Sequence, residues 1–293
     1  MKIAKKILAL LLVLLSLLPL CGAAYAEAGQ ARAVIGADLT DEQINAVYQL
    51  FGVQRGSVTE LKVTNAEERA ALAGYVEESV IGTRSISCVY VELLVEGAGM
   101  DVTTSNVNYC TPEMYMSALA TAGITDAKVV VAAPFEVSGT AALTGVYKAY
   151  EDITGQKLDD LAKLVSTQEL TITGELAEEI GDMDSMAIVN ELKLMLDETR
   201  KMSDGEIRAE IVAIAGEYNV KLTDTQIDQL ISLCRALEKL DADALKSRVE
   251  EIQGTLKKVS DAKTQVVGFV QTVKKVVESV KSFFDRIGKF LNR

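Results

Sequence analysis

The sequence predicts an α+β fold: a ferredoxin-like (split βαβ) or related α/β sandwich followed by an all-α helical region. Strand-like patterns of alternating or β-branched apolar residues occur before Gly155, whereas the pattern beyond it is helical. From residue 57 the predicted order of elements is β-α-β-β-α-β, which matches the ferredoxin-like arrangement. An unrelated mixed α/β sandwich built from the same elements is the alternative.

The N-terminal half opens with a helix, a strand and a second helix. A polar, Ala-rich leader precedes Thr40, which forms a capping box with Gln43, and Gly52 ends the helix that follows. Residues 57–64 alternate imperfectly as a strand, and Asn65 caps the second helix. Capping residues therefore place the ends of these first elements.

A β-hairpin is predicted next. Residues 86–95 have the clearest strand pattern, and residues 102–109 are predicted to return after a turn centred on Gly99. Cys88 and Cys110 are equidistant from Gly99, so they would lie directly opposite each other, with Cα atoms about 4.5–5.5 Å apart. A cross-strand disulfide is therefore one interpretation. Two free thiols, or a register one residue different, are the alternatives.

The next helix and strand lead to the loop that carries the candidate ligand site. Thr111 caps the helix, and residues 126–133 form the strand that follows it. The loop and the helix after it then supply four candidate ligand-binding residues: Glu136, Ser138, Gly139 and Thr140.

Two interpretations of this loop compete. Backbone N–H groups at the start of the following helix would bind a small anion or carboxylate, and Glu136 would serve as a general base or as an acid whose pKa burial raises. In the other interpretation, Ser138 or Thr140 is only the N-cap, and Gly139 permits the turn.

Beyond Gly155 the sequence predicts a helical bundle or hairpin array. The first predicted helix is either continuous or broken at residues 171–174, a stretch that contains a glycine. The predicted helices cover residues 158–180, 185–201, 205–218 and 223–240.

The N-terminus has the pattern of a secretory signal peptide. A basic segment with Lys2, Lys5 and Lys6 precedes an apolar run, and an A-x-A site ends at Ala26. We therefore expect a secreted or extracytoplasmic protein associated with the cell envelope. The predicted division is a signal peptide (1–26), an α/β domain (27–155), a helical domain (156–242) and a basic amphipathic C-terminal helix (243–293).

The C-terminal helix differs in charge from the rest of the chain. Residues 243–293 contain 11 Lys/Arg and 6 Asp/Glu, whereas residues 27–242 contain 16 and 36. An apolar stripe at helical spacing covers residues 266–291. This helix would pack on the acidic body, self-associate through the stripe, or lie on an anionic membrane surface or cell-wall polymer. The candidate surface-binding residues are Lys274, Lys275, Lys281, Arg286 and Lys289.

Composition excludes several classes of function. The chain contains no His, which excludes a Ser-His-Asp triad, a Cys-His dyad and imidazole metal ligands. It also lacks a phosphate-binding loop and a G-x-S-x-G nucleophile elbow, so no cofactor and no metal are expected. A net charge of −12 argues against nucleic acid as a partner.

Three segments carry a resemblance to a known family. They are residues 36–40 (GADLT), residues 111–115 (TPEMY) and the run from Ser138 through Glu151. On these segments the chain resembles the YpuA-like family over roughly residues 33–240. The resemblance implies a secreted or envelope protein of Gram-positive Firmicutes with a domain of unassigned function, and it supplies no catalytic or binding residues.

Two functional hypotheses follow. The first is a secreted, non-enzymatic binding or interaction protein of the cell envelope, which the missing catalytic motifs favour. The second is an envelope hydrolase or transferase that uses Glu136 and the loop at Ser138. A cleft with Glu136 buried among converging polar groups would favour the second.

Overall fold

The computed structural model describes residues 28–72 and 83–253. The predicted signal peptide, the five basic surface-binding candidates and the apolar stripe of residues 266–291 lie outside the described residues and stay predictions. The first half consists of β1 (Ala31–Gly36), α1 (Asp41–Phe51), β2 (Thr59–Val63), α2 (Asn65–Leu72), β3 (Cys88–Leu93), β4 (Met100–Val107), α3 (Pro112–Ala122), β5 (Ala127–Val137) and α4 (Ala142–Thr154). The second half consists of α5 (Asp160–Ile180), α6 (Asp182–Leu194), α7 (Leu196–Thr199), α8 (Asp204–Glu217), α9 (Asp224–Leu237) and α10 (residues 242–253).

The five strands form one mixed sheet in the order β2-β1-β3-β5-β4. β1 and β2 are parallel, as are β4 and β5, whereas β3 is antiparallel to both of its neighbours. The α+β class is confirmed, but the ferredoxin-like strand order is wrong, because β5 lies between β3 and β4 and the predicted hairpin does not form. β3 is apolar on both faces and therefore takes a central position, whereas β4 alternates buried and exposed residues as an edge strand does.

The leader predicted before the first helix contains strand β1. Strand β1 is only six residues long, which is too short for an alternation of apolar and polar residues to be recognised. Val34 and Ile35 are nevertheless fully buried. Its last residue, Gly36, lies against the backbone of Ser85. A Cβ atom at Gly36 would be 2.4 Å from the Ser85 carbonyl oxygen, so only glycine fits there.

Helices cover both faces of the sheet. Successive residues of β3 face opposite sides, so Tyr90 packs in the cluster with α1, whereas Val89 and Val91 pack in the cluster with α3 and α4. The cluster with α3 and α4 is the larger core. It also contains Leu170 and Ile252 from the helical region, so the two halves of the chain share buried apolar surface.

Of the interpretations for Cys88 and Cys110, the disulfide is wrong and the free thiols are correct, because both cysteines are unbonded and buried. Cys88 lies opposite Ala132 of β5, and its Sγ accepts a hydrogen bond from the Gly36 N–H at 3.4 Å. Cys110 lies in the core on the other face of the sheet. Burial raises the pKa of each thiol to about 12, so both stay uncharged and unreactive as nucleophiles.

The helical region packs around a second apolar core. Helix α5 runs through residues 171–174 without a break, and Gly174 leaves room there for the ring of Tyr109. A Cβ atom at Gly174 would lie 2.5 Å from that ring. Residues 243–253, predicted as the beginning of the basic arm, belong to α10, which buries Leu245 and Val249 in this second core.

Candidate functional site

The loop predicted to bind a ligand follows β5. This strand continues past Pro134 to Val137, whereas its pairing with β3 ends at Ala132. The missing N–H of Pro134 therefore costs no hydrogen bond to β3. Glu136 lies exposed near the end of this strand, and so it is neither a buried acid nor part of an enclosed site.

The loop itself is closed against helix α3. The backbone of Gly139 has φ +93°, and its carbonyl oxygen accepts a hydrogen bond from the buried Tyr115 hydroxyl at 2.6 Å. A Cβ atom at Gly139 would be 2.6 Å from that hydroxyl. The hydroxyls of Ser138 and Thr140 are 3.4 Å apart, but neither caps α4, whose N-cap is Ala141 without a side-chain hydrogen bond. The simple capping interpretation is therefore wrong.

The four residues 136, 138, 139 and 140 line neither of two grooves that flank α5. The larger groove, about 710 Å³, lies between α5, α8 and α9, and the smaller, about 540 Å³, lies between α2, α4 and α5. Leu164 lines both grooves. The ligand-site assignment of the loop stays a prediction, and these two grooves lie elsewhere.

Most charged side chains that line these grooves form ion pairs with other side chains of the protein. In the smaller groove Lys148 donates to Glu67 at 2.6 Å, and Lys163 donates to Glu151 at 2.9 Å. In the larger groove Arg235 pairs with Asp204 at 2.8 Å. Because Lys148 is engaged in this way, it does not form a pair with Ser138. Among residues 28–72 and 83–253, no group of three Cys, Asp or Glu residues is arranged to hold a metal ion.

A different serine–lysine pair is buried where α3, α5 and α6 meet. The Lys193 ammonium donates to the Glu169 Oε1 at 2.5 Å and to the Ser117 Oγ at 2.9 Å. Thr121 donates to the other carboxylate oxygen of Glu169 at 2.5 Å, and Asn190 contacts Ser117 at 2.9 Å. The side chains of Lys193 and Glu169 are 0% and 1% exposed.

The role of this buried cluster is structural. Desolvation lowers the pKa of Lys193, and the nearby Glu169 carboxylate opposes that shift. A lysine of lowered pKa beside a serine hydroxyl is the arrangement of a general base and its nucleophile. However, none of these residues lines either groove, so no substrate reaches Ser117 through them. The cluster joins α3 of the sheet half to two helices of the second half.

A second buried carboxyl group lies at the carboxyl ends of β1 and β2. The Glu68 Oε1 is 2.6 Å from the Ser85 Oγ, and both residues are 0% exposed. The Ser85 N–H donates to the Asp38 Oδ2 at 2.7 Å, which fixes the loop after β1. Burial raises the pKa of Glu68 to about 7.

Comparison with known proteins identifies one family. The model of a family described as a protein of unknown function (DUF1002) matches residues 35–259. The chain belongs to the DUF1002 family. It is also 38% identical over 235 residues to the uncharacterized protein YpuA of Bacillus subtilis (strain 168), which covers 79% of this chain and 80% of that protein. The resemblance to the YpuA-like family is confirmed, and no solved structure matches the chain.

The match places the described functional candidates within the DUF1002 region. Residues 35–259 include both grooves, both buried carboxyl clusters and α10, but they end before the apolar stripe of residues 266–291. The stripe and the five basic residues within it therefore lie outside the region that defines the family.

The buried clusters of this DUF1002 protein were missed by reasoning from motifs, although the helical period contained a signal. Met186, Val189 and Lys193 share one face of α6 at spacings of three and four residues, and the first two are buried. A lysine in register with a buried stripe predicts a buried partner of opposite charge. The partner, Glu169, cannot be identified from spacing, because it lies on another helix.

No helix among the described residues of this DUF1002 protein is both long and apolar enough to cross a membrane.

Proposed function

We propose that this DUF1002 protein is secreted to the cell envelope and acts there by binding rather than by catalysis. Support comes from the signal-peptide pattern before Glu27 and from the positions of the reactive side chains. Ser117, Lys193 and Glu68 are buried, whereas the open grooves are lined by side chains whose charges are mostly paired. Such grooves suit recognition of a polar partner better than attack on a substrate.

The observation that carries the proposal is the junction between an acidic body and a basic arm. Helix α10 buries Leu245 and Val249 in the second core and Ile252 in the first, so the helix that precedes residues 254–293 in the chain is anchored in both cores. Residues 254–293 contain 9 Lys/Arg and 3 Asp/Glu, whereas the chain as a whole carries a net charge of −12. An anionic surface attracts the arm and repels the body.

The surface that fits the arm best is an anionic lipid membrane. The stripe of residues 266–291 includes Phe269, Phe283, Phe284 and Phe290, and it needs an apolar phase to cover it. A wall polymer supplies negative charge but no such phase. The proposed role is therefore a membrane-bound binding protein whose acidic body stands away from the lipid.

Binding to vesicles tests the arm. Full-length protein should sediment with vesicles that contain phosphatidylglycerol, and a chain that ends at residue 253 should stay in solution. Replacing the five candidate basic residues with glutamine should weaken binding at least a hundredfold, since each is worth about 1 kcal/mol at such a surface. The control is Lys221→Gln with Lys239→Gln, on the folded body, which should bind as wild type does.

Two outcomes would contradict this part of the proposal. One is sedimentation of the chain that ends at residue 253 to the same extent as the full-length protein. The other is loss of a dimer, measured by analytical ultracentrifugation, when residues 254–293 are removed, with no vesicle binding by the full-length chain. That result would assign the stripe to self-association. Truncation should begin after residue 253, because removal of residues 243–253 would delete buried residues of α10.

Secretion has its own measurement. When the gene is expressed in a Gram-positive host, the protein recovered outside the cytoplasm should begin at Glu27 by N-terminal sequencing, because the A-x-A site ends at Ala26. A variant with Ala26→Asp should retain the uncleaved segment. Recovery of the wild-type chain only in the cytoplasm, with Met1 in place, would rule out secretion.

A further inference from the structure

We propose that Glu68 carries a proton in the folded protein at acidic to neutral pH, and that its ionisation loosens the junction of α2, residues 83–87 and the carboxyl ends of β1 and β2. The fold would then contain a proton-sensitive switch. The inference is independent of the arm and rests on the hydrogen bonds around Ser85.

Three oxygen atoms meet at this junction, with the Ser85 hydroxyl within hydrogen-bond distance of the other two. The Ser85 Oγ is 2.6 Å from the Glu68 Oε1 and 2.8 Å from the carbonyl oxygen of Val63, the last residue of β2. The same Val63 oxygen accepts a hydrogen bond from the Ala37 N–H at 2.8 Å. Both contacts of the Ser85 hydroxyl are buried away from bulk solvent.

Counting protons decides which group donates in each contact. The Ser85 hydroxyl has one proton, and the Val63 oxygen is only an acceptor. If Ser85 donates to Val63, the proton in the 2.6 Å contact must come from Glu68. If Glu68 is ionised, Ser85 can donate to one of its two oxygen neighbours, and the other contact places two oxygen atoms together without a proton. The protonated acid therefore satisfies the observed geometry completely.

The charges around Glu68 also favour the neutral acid. Burial is the main cause that raises the pKa of Glu68 to about 7, and the negative charges of Asp38, from the loop after β1, and of Glu67, its neighbour on α2, add to it. Hydrogen bonds from Ser85 and Asn65 oppose this shift. The Cys88 thiol of β3 faces the same region and is neutral, because burial raises its pKa to about 12.

Nearby cations do not form an ion pair with Glu68 among the described residues. The Arg69 Nε donates to the Asn65 Oδ1 at 2.9 Å, and the Arg84 guanidinium donates to the Asp38 carbonyl oxygen at 3.0 Å. An ionised Glu68 would therefore be a buried charge that the surrounding described groups do not neutralise.

The direction of the pH effect follows from proton linkage. The folded state holds the Glu68 proton more tightly than the unfolded chain, whose glutamate has its ordinary pKa. The stability that protonation contributes is fully present below that ordinary value and is lost as the pH rises through about 7. Acidic conditions therefore tighten the junction, and alkaline conditions loosen it.

The junction also fixes the backbone around Ser85. Ser85 accepts a backbone hydrogen bond from Asp38 at 3.3 Å and packs directly on Gly36, so its position determines how the chain turns from β1 into α1. Ionisation of Glu68 would weaken the hold of Ser85 on the ends of both strands at once.

The experiment compares Glu68→Gln with Glu67→Gln in the full-length protein. The folding equilibrium constant of wild type should fall about tenfold per pH unit between pH 5 and 7 relative to Glu68→Gln, whose amide mimics the protonated acid. Glu67→Gln is the matched control. The Lys148 ammonium lowers the pKa of Glu67, so that residue loses its own contribution only on the acidic side. The control should therefore still lose stability between pH 5 and 7, whereas Glu68→Gln should not.

A second measurement needs no variant. The carboxyl carbon of Glu68, observed by ¹³C NMR in the wild-type protein, should titrate near pH 7. Titration of that carbon below pH 5 would overturn the proposal. So would a pH slope of Glu68→Gln equal to that of wild type. If Glu68→Gln fails to fold, the NMR titration alone decides.

Discussion

Replacing Lys193 with methionine is expected to destabilise the protein by about 3–5 kcal/mol, the typical cost of breaking a buried ion pair by removing one partner. Methionine keeps much of the side-chain volume, but it leaves the Glu169 carboxylate buried without its cation. The remaining contacts of that carboxylate, with the Ser117 and Thr121 hydroxyls, do not neutralise its charge. The loss should appear as a lower midpoint of urea denaturation with an unchanged slope.

Two further variants separate this effect from packing. Lys163→Met removes the cation of a partly exposed pair, whose lysine side chain is 23% exposed, and it should cost less than about 1 kcal/mol. Lys193→Met combined with Glu169→Leu should recover most of the loss, because no unpaired charge remains. If Lys193→Met costs no more than Lys163→Met, the buried pair does not hold α3, α5 and α6 together.

The second large effect is expected at Gly36. Gly36→Ala places a Cβ atom 2.4 Å from the Ser85 carbonyl oxygen and 2.7 Å from its carbonyl carbon. These are backbone atoms, so β1 and residues 83–87 must move apart, at a cost of about 1–3 kcal/mol or more. Thermal unfolding should show a clearly lower midpoint than wild type.

The control for Gly36→Ala is Gly216→Ala in helix α8. A Cβ atom at Gly216 meets no atom within 4 Å, and alanine is a better helix former than glycine by about 1 kcal/mol. This second substitution should leave the midpoint unchanged or raise it. A midpoint of Gly36→Ala equal to that of wild type would show that the close approach of β1 and Ser85 does not constrain the fold.

Most features that depend on nearby residues were predicted from the sequence, but the cap of α2 is Thr64, whose hydroxyl accepts a hydrogen bond from the Glu67 N–H at 3.3 Å, and not the predicted Asn65. Thr40 and Gln43 form the predicted capping box, Thr111 caps α3, and the same box recurs at Thr223 and Gln226 in α9. A cap is decided by a side chain and the backbone N–H two or three residues away, so the local sequence contains the whole interaction. The α+β class follows in the same way from the period of apolar residues.

Features that depend on distant residues were not predicted. Strand β3 pairs with β5 and not with β4. Which of the two strands pairs with β3 depends on their relative stability in that position, and the local sequence does not indicate it. The interpretation that paired Cys88 with Cys110 failed for this reason, since it assumed the hairpin. Likewise Glu68 meets Ser85, and Lys193 meets Ser117, across separations of 17 and 76 residues.

The candidate site, too, depends on a distant residue that the local sequence does not reveal. The loop at Gly139 has the composition of an anion site, but Tyr115 from another helix fills the space beside it. Composition indicated that a turn and a helix start would occur there, which is correct. It did not indicate what would pack against them, and that decides whether a ligand has room.

The shared core has a consequence for when the chain folds. Burial around α3 and α4 is completed by Leu170, Met186 and Ile252, the last of which lies near the end of the described chain. The sheet half therefore lacks part of its apolar contacts until almost the whole polypeptide has been synthesised. Under the secretion proposed above, such a delay in folding would keep the chain competent for translocation until α10, the last helix of the described residues, has been synthesised.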